Sequence, residues 1–206
     1  MNGTMMKRVA IYAAFVVALA GPAFSQASAP APAYNFQVGI FAEDLRLGRV
    51  DPTLDMPGAG ARFSLFPQSW FQLEMEGSYD FAQTFTTSWT NGFVTDNLTT
   101  HLRVASGLGG VKMNKRLKKK LRLFATVKAG FIDFTSSTQN IPQGFTNPQD
   151  PATRSATDFL LYPGGGLEYS FAGHWGLRAD VGDDLYFDHG HRYNNIRGTF
   201  GPTFRF

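Results

Sequence analysis

The chain has 206 residues, 15% of them aromatic and only 17% charged, a size that holds one domain, and it has no cysteine, which excludes a disulfide scaffold and a Cys-anchored lipoprotein. The formal net charge of +3 falls to +1 once Lys7 and Arg8 of the N-terminal segment are removed, so there is no global attraction to nucleic acid. No stretch beyond the N-terminus is apolar enough for a helical membrane span.

The first element is a signal peptide over residues 1–25. Lys7 and Arg8 form its positive region, Val9 to Ala20 its apolar run and Gly21-Pro22 its breaker. Ala23-Phe24-Ser25 supplies small residues for cleavage before Gln26. Residues 26–33, rich in Ala, Ser and Pro, read as a mobile leader. Residues 34–206 form the folded domain, and there the hydrophobic period is two, which puts alternate side chains on opposite faces of a strand.

Eight segments carry that period. Phe36, Val38, Ile40 and Ala42 oppose Gln37, Gly39 and Glu43; Ala59, Ala61, Phe63 and Leu65 oppose Gly60, Arg62 and Ser64. The third is sharpest, with Phe71, Leu73, Met75 and Tyr79 against Gln72, Glu74, Glu76 and Asp80. The fourth sets Leu102, Val104 and Leu108 against His101 and Arg103, which assigns the two polar residues to the interior. The fifth sets Leu121, Leu123, Val127 and Phe131 against Arg122, Thr126 and Lys128. The sixth sets Phe159, Leu161, Leu167 and Tyr169 against Gly164, Gly166 and Glu168. The last two set Leu177, Ala179 and Val181 against Arg178 and Asp180, then Ile196, Phe200 and Phe204 against Arg197, Thr203 and Arg205.

Connections alternate between short ones, near residues 66–70, 112–120 and 171–174, and long polar ones, near 46–58, 82–97, 134–157 and 184–195. Short periplasmic turns and long external loops in alternation are the pattern of an up-and-down outer-membrane barrel. Hydrocarbon offers no partner to backbone N–H and C=O groups, so the sheet must close. The fold class is therefore all-β: an eight-stranded antiparallel up-and-down transmembrane β-barrel. Phe66, Trp70, Phe171 and Trp175 are expected in one aromatic girdle, and Tyr79, Phe81, Phe134, Tyr186 and Phe187 in the other. A turn centred near Gln68 would pair Arg62 with Glu74, and one near Gly173 would pair Glu168 with Arg178.

Gly164-Gly165-Gly166-Leu167-Glu168-Tyr169 and His174-Trp175-Gly176-Leu177-Arg178-Ala179-Asp180 resemble the penultimate hairpin of the OmpA-like outer-membrane β-barrel domain family, the small porin-family proteins. Thr203-Phe204-Arg205-Phe206 is similar to that family's last strand. The resemblance implies an outer-membrane location without the soluble peptidoglycan-binding domain. It also makes Phe204 and Phe206 the signal read by the barrel-assembly machinery.

An eight-stranded barrel is about wide enough for side chains to fill. Its interior is expected to hold an ion network of Arg62, Glu74, Glu76, Arg103, Arg122, Lys128, Glu168, Arg178, Asp180, Arg197 and Arg205, with water pockets beside Gly39, Gly60, Gly130, Gly164 and Gly166. The basic run from Lys112 to Arg122, with Lys115, Arg116, Lys118, Lys119 and Lys120 at its centre, is a candidate contact for anionic lipid headgroups. Asp188-His189-Gly190-His191, after Asp183 and Asp184, is the one cluster resembling a metal or acid/base site, and a solvated loop is its simpler reading. No cofactor and no catalytic centre are expected. Outer-membrane lipids are the expected partners of a monomer, with no nucleic acid. The alternatives are a barrel hydrolase working at the external rim and a soluble lipocalin-like ligand carrier.

Overall fold

The computed structural model describes residues 35–48, 54–90, 95–139, 153–188 and 190–206. The expected signal peptide and leader lie outside the described residues. Eight strands run in chain order: β1 Phe36–Leu47, β2 Leu54–Gln68, β3 Phe71–Thr90, β4 Thr95–Arg116, β5 Leu121–Gln139, β6 Thr153–Ala172, β7 Trp175–Asp188 and β8 His191–Arg205. Each pairs antiparallel with the next, and β8 returns to β1, so the sheet is a closed barrel. Closure leaves no edge without hydrogen bonds, the condition a sheet must meet in hydrocarbon. At the seam Phe36 and Phe206 exchange backbone bonds at 3.0 Å in both directions.

The period-two pattern sorts the faces. Ile40, Met75, Phe131, Val181 and Phe200 are more than half exposed on the outer wall, while Gln37, Glu74, Lys128, Glu168 and Arg178 are almost completely buried within the lumen. A lipid solvent turns the usual burial rule inside out: the apolar side chains face the exterior and ions fill the interior.

Three expectations are corrected. In the β2–β3 hairpin Arg62 stands opposite Glu76 and Phe63 opposite Met75, two residues from the expected pairing. The turn is displaced to Ser69-Trp70, with a ladder irregularity between Leu65 and Gln68, around Pro67, which has no N–H to donate. A slip of two keeps every side chain on its face, so Arg62 stays inside. The β6–β7 hairpin does pair Glu168 with Arg178.

The second correction is β4, whose faces are reversed. Val104 and Leu108 are buried in the lumen, Arg103 is exposed on the outside, and His101 lies on the outer side bonded to Thr84. Directly opposed residues share a face. Since Asp80 faces Val104 and Glu76 faces Leu108 across the β3–β4 ladder, the inward parity of β3 dictates that of β4.

Third, much of the expected long loops is strand. β3 and β4 stay paired as far as Thr90 and Thr95, and β5 and β6 as far as Ser137 and Thr153. Their threonines and aromatics favour a pleated sheet that continues past the membrane.

Candidate functional site

All eight strands contribute ionisable groups to the lumen. Six cations (Arg62, Lys112, Lys128, Arg178, Arg197, Arg205) pair with six carboxylates (Glu43, Glu74, Glu76, Glu168, Asp180, Asp184). The pairs cross the lumen. Arg62 on β2 reaches Asp180 on β7 at 2.7 Å, and Arg197 on β8 reaches Glu76 on β3 at 2.8 Å. Lys128 on β5 bridges Glu74 and Glu76 at 2.7 and 2.6 Å. Arg178 on β7 grips Glu74 with both terminal nitrogens, and its Nε donates to Asp180 at 2.8 Å. Neutral groups finish the site: Ser64 donates to Glu74 at 3.0 Å, Thr199 to Asp180 at 2.7 Å and Gln37 to Glu168 at 2.6 Å. Buried charge is tolerable only when paired and hydrogen-bonded in this way.

Three inward aromatics, which the sequence reading did not single out, support the cations. Arg62 lies over Phe41 at 4.2 Å, Arg178 and Lys112 over Phe124 at 4.3 and 5.0 Å, and Arg197 and Lys128 over Tyr162 at 4.5 and 5.3 Å. A cation within about 6 Å of a ring centroid is attracted to the ring face. Glycines opposite make the room. A Cβ at Gly60 would fall 2.3 Å from the Phe41 ring, and one at Gly182 would fall 2.4 Å from the Tyr162 ring. The space expected to hold water at Gly60 and Gly164 is therefore taken by Phe41 and Tyr162.

Towards the external end the lumen changes character. Leu45, Leu47, Met56, Val104, Leu108, Ile132, Leu160, Tyr162 and Tyr186 form one buried cluster, none more than 4% exposed. Leu54, Leu102, Phe134 and Tyr193 pack against it. Tyr186 stacks on Tyr193 and tilts against Phe134, with centroids 5.1 Å apart in both pairs. Phe134 and Tyr186, expected in a girdle, thus pack inside the lumen, and Phe66 is also buried. The exposed external girdle is Tyr79, Phe81, Phe131, Phe159 and Phe187; Phe171 and Trp175 remain exposed at the other rim.

Of the expected network, Arg103 is outside and Arg122 is half-buried at the periplasmic mouth, cross-strand from Glu168. The others are brought together. Glu43, Lys112 and Asp184 join them without having been expected. Lys112 was masked by its place in the basic run and by the reversed reading of β4: it shares the face of Leu108, which the structure places inside. Lys115, Arg116, Lys118, Lys119 and Lys120 are exposed at the turn after β4.

Asp188 and His191 are register partners closing the β7–β8 hairpin, with Gly190 in the left-handed region at φ 83°. His189 lies outside the described residues. Among the described residues no group of three or more His, Asp and Glu is placed to hold a metal ion.

The structure is similar to solved outer-membrane barrels. Neisserial surface protein A, at 9% identity, aligns over 83% of this chain and 97% of its own with a TM-score of 0.59. Ail, the attachment invasion locus protein of Yersinia pestis, at 12% identity, aligns over 84% and 97% with a TM-score of 0.51. At such identities the likeness concerns the fold alone. No curated protein matches the chain in sequence. The family model described as the outer membrane protein beta-barrel domain matches residues 11–204, nearly the whole chain, and with the closed eight-stranded barrel this makes the protein a member of that outer-membrane family.

Proposed function

We propose that this outer-membrane barrel is non-enzymatic, that its lumen is closed to solutes, and that it serves the envelope through its outer wall, its two rims and its external hairpins. The observation that carries this reading is the two-layer filling of the lumen. An ion network runs from β2 and β3 to β5, β7 and β8, and an apolar plug lies above it. A hydrated ion entering from outside would first meet Leu, Ile and Tyr side chains, with the loss of its hydration uncompensated, and then a set of charges already paired with one another. Phe204, packed on Trp175 at 5.0 Å, and Phe206 at the seam act in this proposal as the assembly signal.

Planar-bilayer recording of the purified, refolded barrel is the test. The expected trace has no stable conductance steps. Steady porin-sized openings from the wild-type protein would overturn the proposal.

A further inference from the structure

The turn between β4 and β5 is the most strongly charged exposed feature of the molecule that the lumen does not use. Residues 115–120 read Lys-Arg-Leu-Lys-Lys-Lys, and all six side chains are exposed. The turn is closed by its own backbone. The N–H groups of Leu117 and Lys118 donate to the Leu121 carbonyl at 3.0 and 3.1 Å, and the Leu121 N–H donates to the Lys118 carbonyl at 3.3 Å. No Asp or Glu lies between Val111 and Arg122, or in the neighbouring turns at residues 66–70 and 171–174. Among the described residues none of the five cations of this turn has an ion pair in the structure, in contrast to the paired lumen.

Its height in the membrane follows from β4. Outward positions on that strand are Arg103, Ala105, Gly107, Gly109, Val111, Met113 and Lys115, five small or apolar residues between two exposed cations. Twelve residues at about 3.3 Å each, tilted by about 40°, span roughly 30 Å, the thickness of a hydrocarbon core. Arg103 stands level with the polar belt of Asp133, Thr135, Ser155 and Thr157 on the external side, so Lys115 stands at the opposite interface. There it faces Leu123 across the ladder, an outward residue of the apolar wall, and the Trp70 carbonyl accepts from Asn114 beside it at 2.8 Å. Leu117, half exposed between Arg116 and Lys118, adds an apolar contact at the same tip.

We infer that this turn is a binding site for anionic phospholipid headgroups of the periplasmic leaflet. Lys115 meets the phosphate from the barrel wall, Arg116 and Lys118 to Lys120 supply the surrounding positive field, and Leu117 contacts the acyl region. A soluble polyanion would satisfy the lysines but would make no use of Leu117 or of the position of Lys115 on the lipid-facing wall. The inference is independent of whether the lumen conducts.

Spin-labelled phosphatidylglycerol and phosphatidylcholine, each introduced into phosphatidylcholine vesicles holding the refolded barrel, test the site through the fraction of label immobilised by protein. At low salt the wild type should favour phosphatidylglycerol by about tenfold or more, since each cation near an anionic surface contributes roughly fivefold. The preference should collapse at about 1 M salt, where the screening length is about 3 Å. It should also collapse in a variant carrying K115Q, R116Q, K118Q, K119Q and K120Q, but survive in R192Q at the far rim. Heat-modifiable migration on gels checks that each variant folds; should the fivefold variant fail, K115Q alone and K118Q/K119Q/K120Q replace it. Equal immobilisation of the two labels, or a preference unchanged by the substitutions, overturns the inference. Full displacement by millimolar soluble glycerophosphoglycerol would reassign the turn to a free phosphodiester and equally overturn the lipid.

Discussion

Replacing Arg178 by methionine is expected to destabilise the barrel by about 3 kcal/mol, the lower end of the range for stranding a buried ion. The guanidinium makes two bonds to Glu74 and one to Asp180, and it covers Phe124 at 4.3 Å. Its loss leaves six carboxylates against five cations. The lower end applies because neither acid is left alone: Glu74 keeps Lys128 at 2.7 Å and Asp180 keeps Arg62 at 2.7 Å. Urea titration of the refolded protein in phospholipid vesicles, followed by tryptophan fluorescence, measures the change. Adding Glu74→Gln to Arg178→Met restores the balance of six against six less one pair, and it should recover part of the loss as a coupling energy in a double-mutant cycle. A loss below about 1 kcal/mol, the scale of exposed ion pairs, would mean that the lumen is wet and its charges solvated.

Val127→Arg should cost about 2–4 kcal/mol, the penalty for a cation at the bilayer midplane on a barrel's outer face. Val127 is in the middle of the outward file Leu121, Leu123, Ala125, Val127, Ala129 and Phe131, which ends in Asp133 at one end and the basic turn at the other. Ser155→Arg, level with the polar belt and close to Asp133, should cost about 0–1 kcal/mol by the depth dependence of the same penalty. The two variants introduce the same cation at different heights, the upper one beside Asp133. Equal losses in the same urea assay would show that the membrane does not lie where Arg103 and Lys115 place it.

The barrel was legible wherever the two faces of a strand meet opposite solvents. Along β3, Leu73 and Met75 meet lipid while Glu74 and Glu76 meet the lumen, so the alternation is unambiguous. On β4 it fails, because the upper lumen is itself apolar: Val104 and Leu108 point into the buried apolar cluster, and the opposite face is largely glycine and alanine, leaving no contrast to read. Arg103 then looked interior when it is a rim residue. Phe41, Phe124 and Tyr162 were hidden for a related reason, since an aromatic inside and one in a girdle are the same letter. Composition suggested that acids and arginines would meet in the lumen. Which acid meets which arginine depends on strand register and barrel closure, and a slip of two in the β2–β3 turn changes the cross-strand partner of Arg62 without disturbing its face.

The lumen's ion pairs and hydrogen bonds join residues far apart along the chain: Arg62 and Asp180 are 118 residues apart, Arg197 and Glu76 are 121, and the hydrogen-bonded Gln37 and Glu168 are 131. Local hairpins cannot satisfy them. A sheet stalled with six strands in place would present Arg62, Glu74 and Glu76 without the β7 and β8 groups that complete their shell, and in a membrane those groups would have no water to fall back on. The charges therefore find their full set of partners only in the closed eight-stranded sheet. Contacts of such long sequence separation make folding slow, because chain closure must precede the reward. They also tie the charges to the seam, since a wrong strand count or a slipped seam would leave lumen charges without their partners.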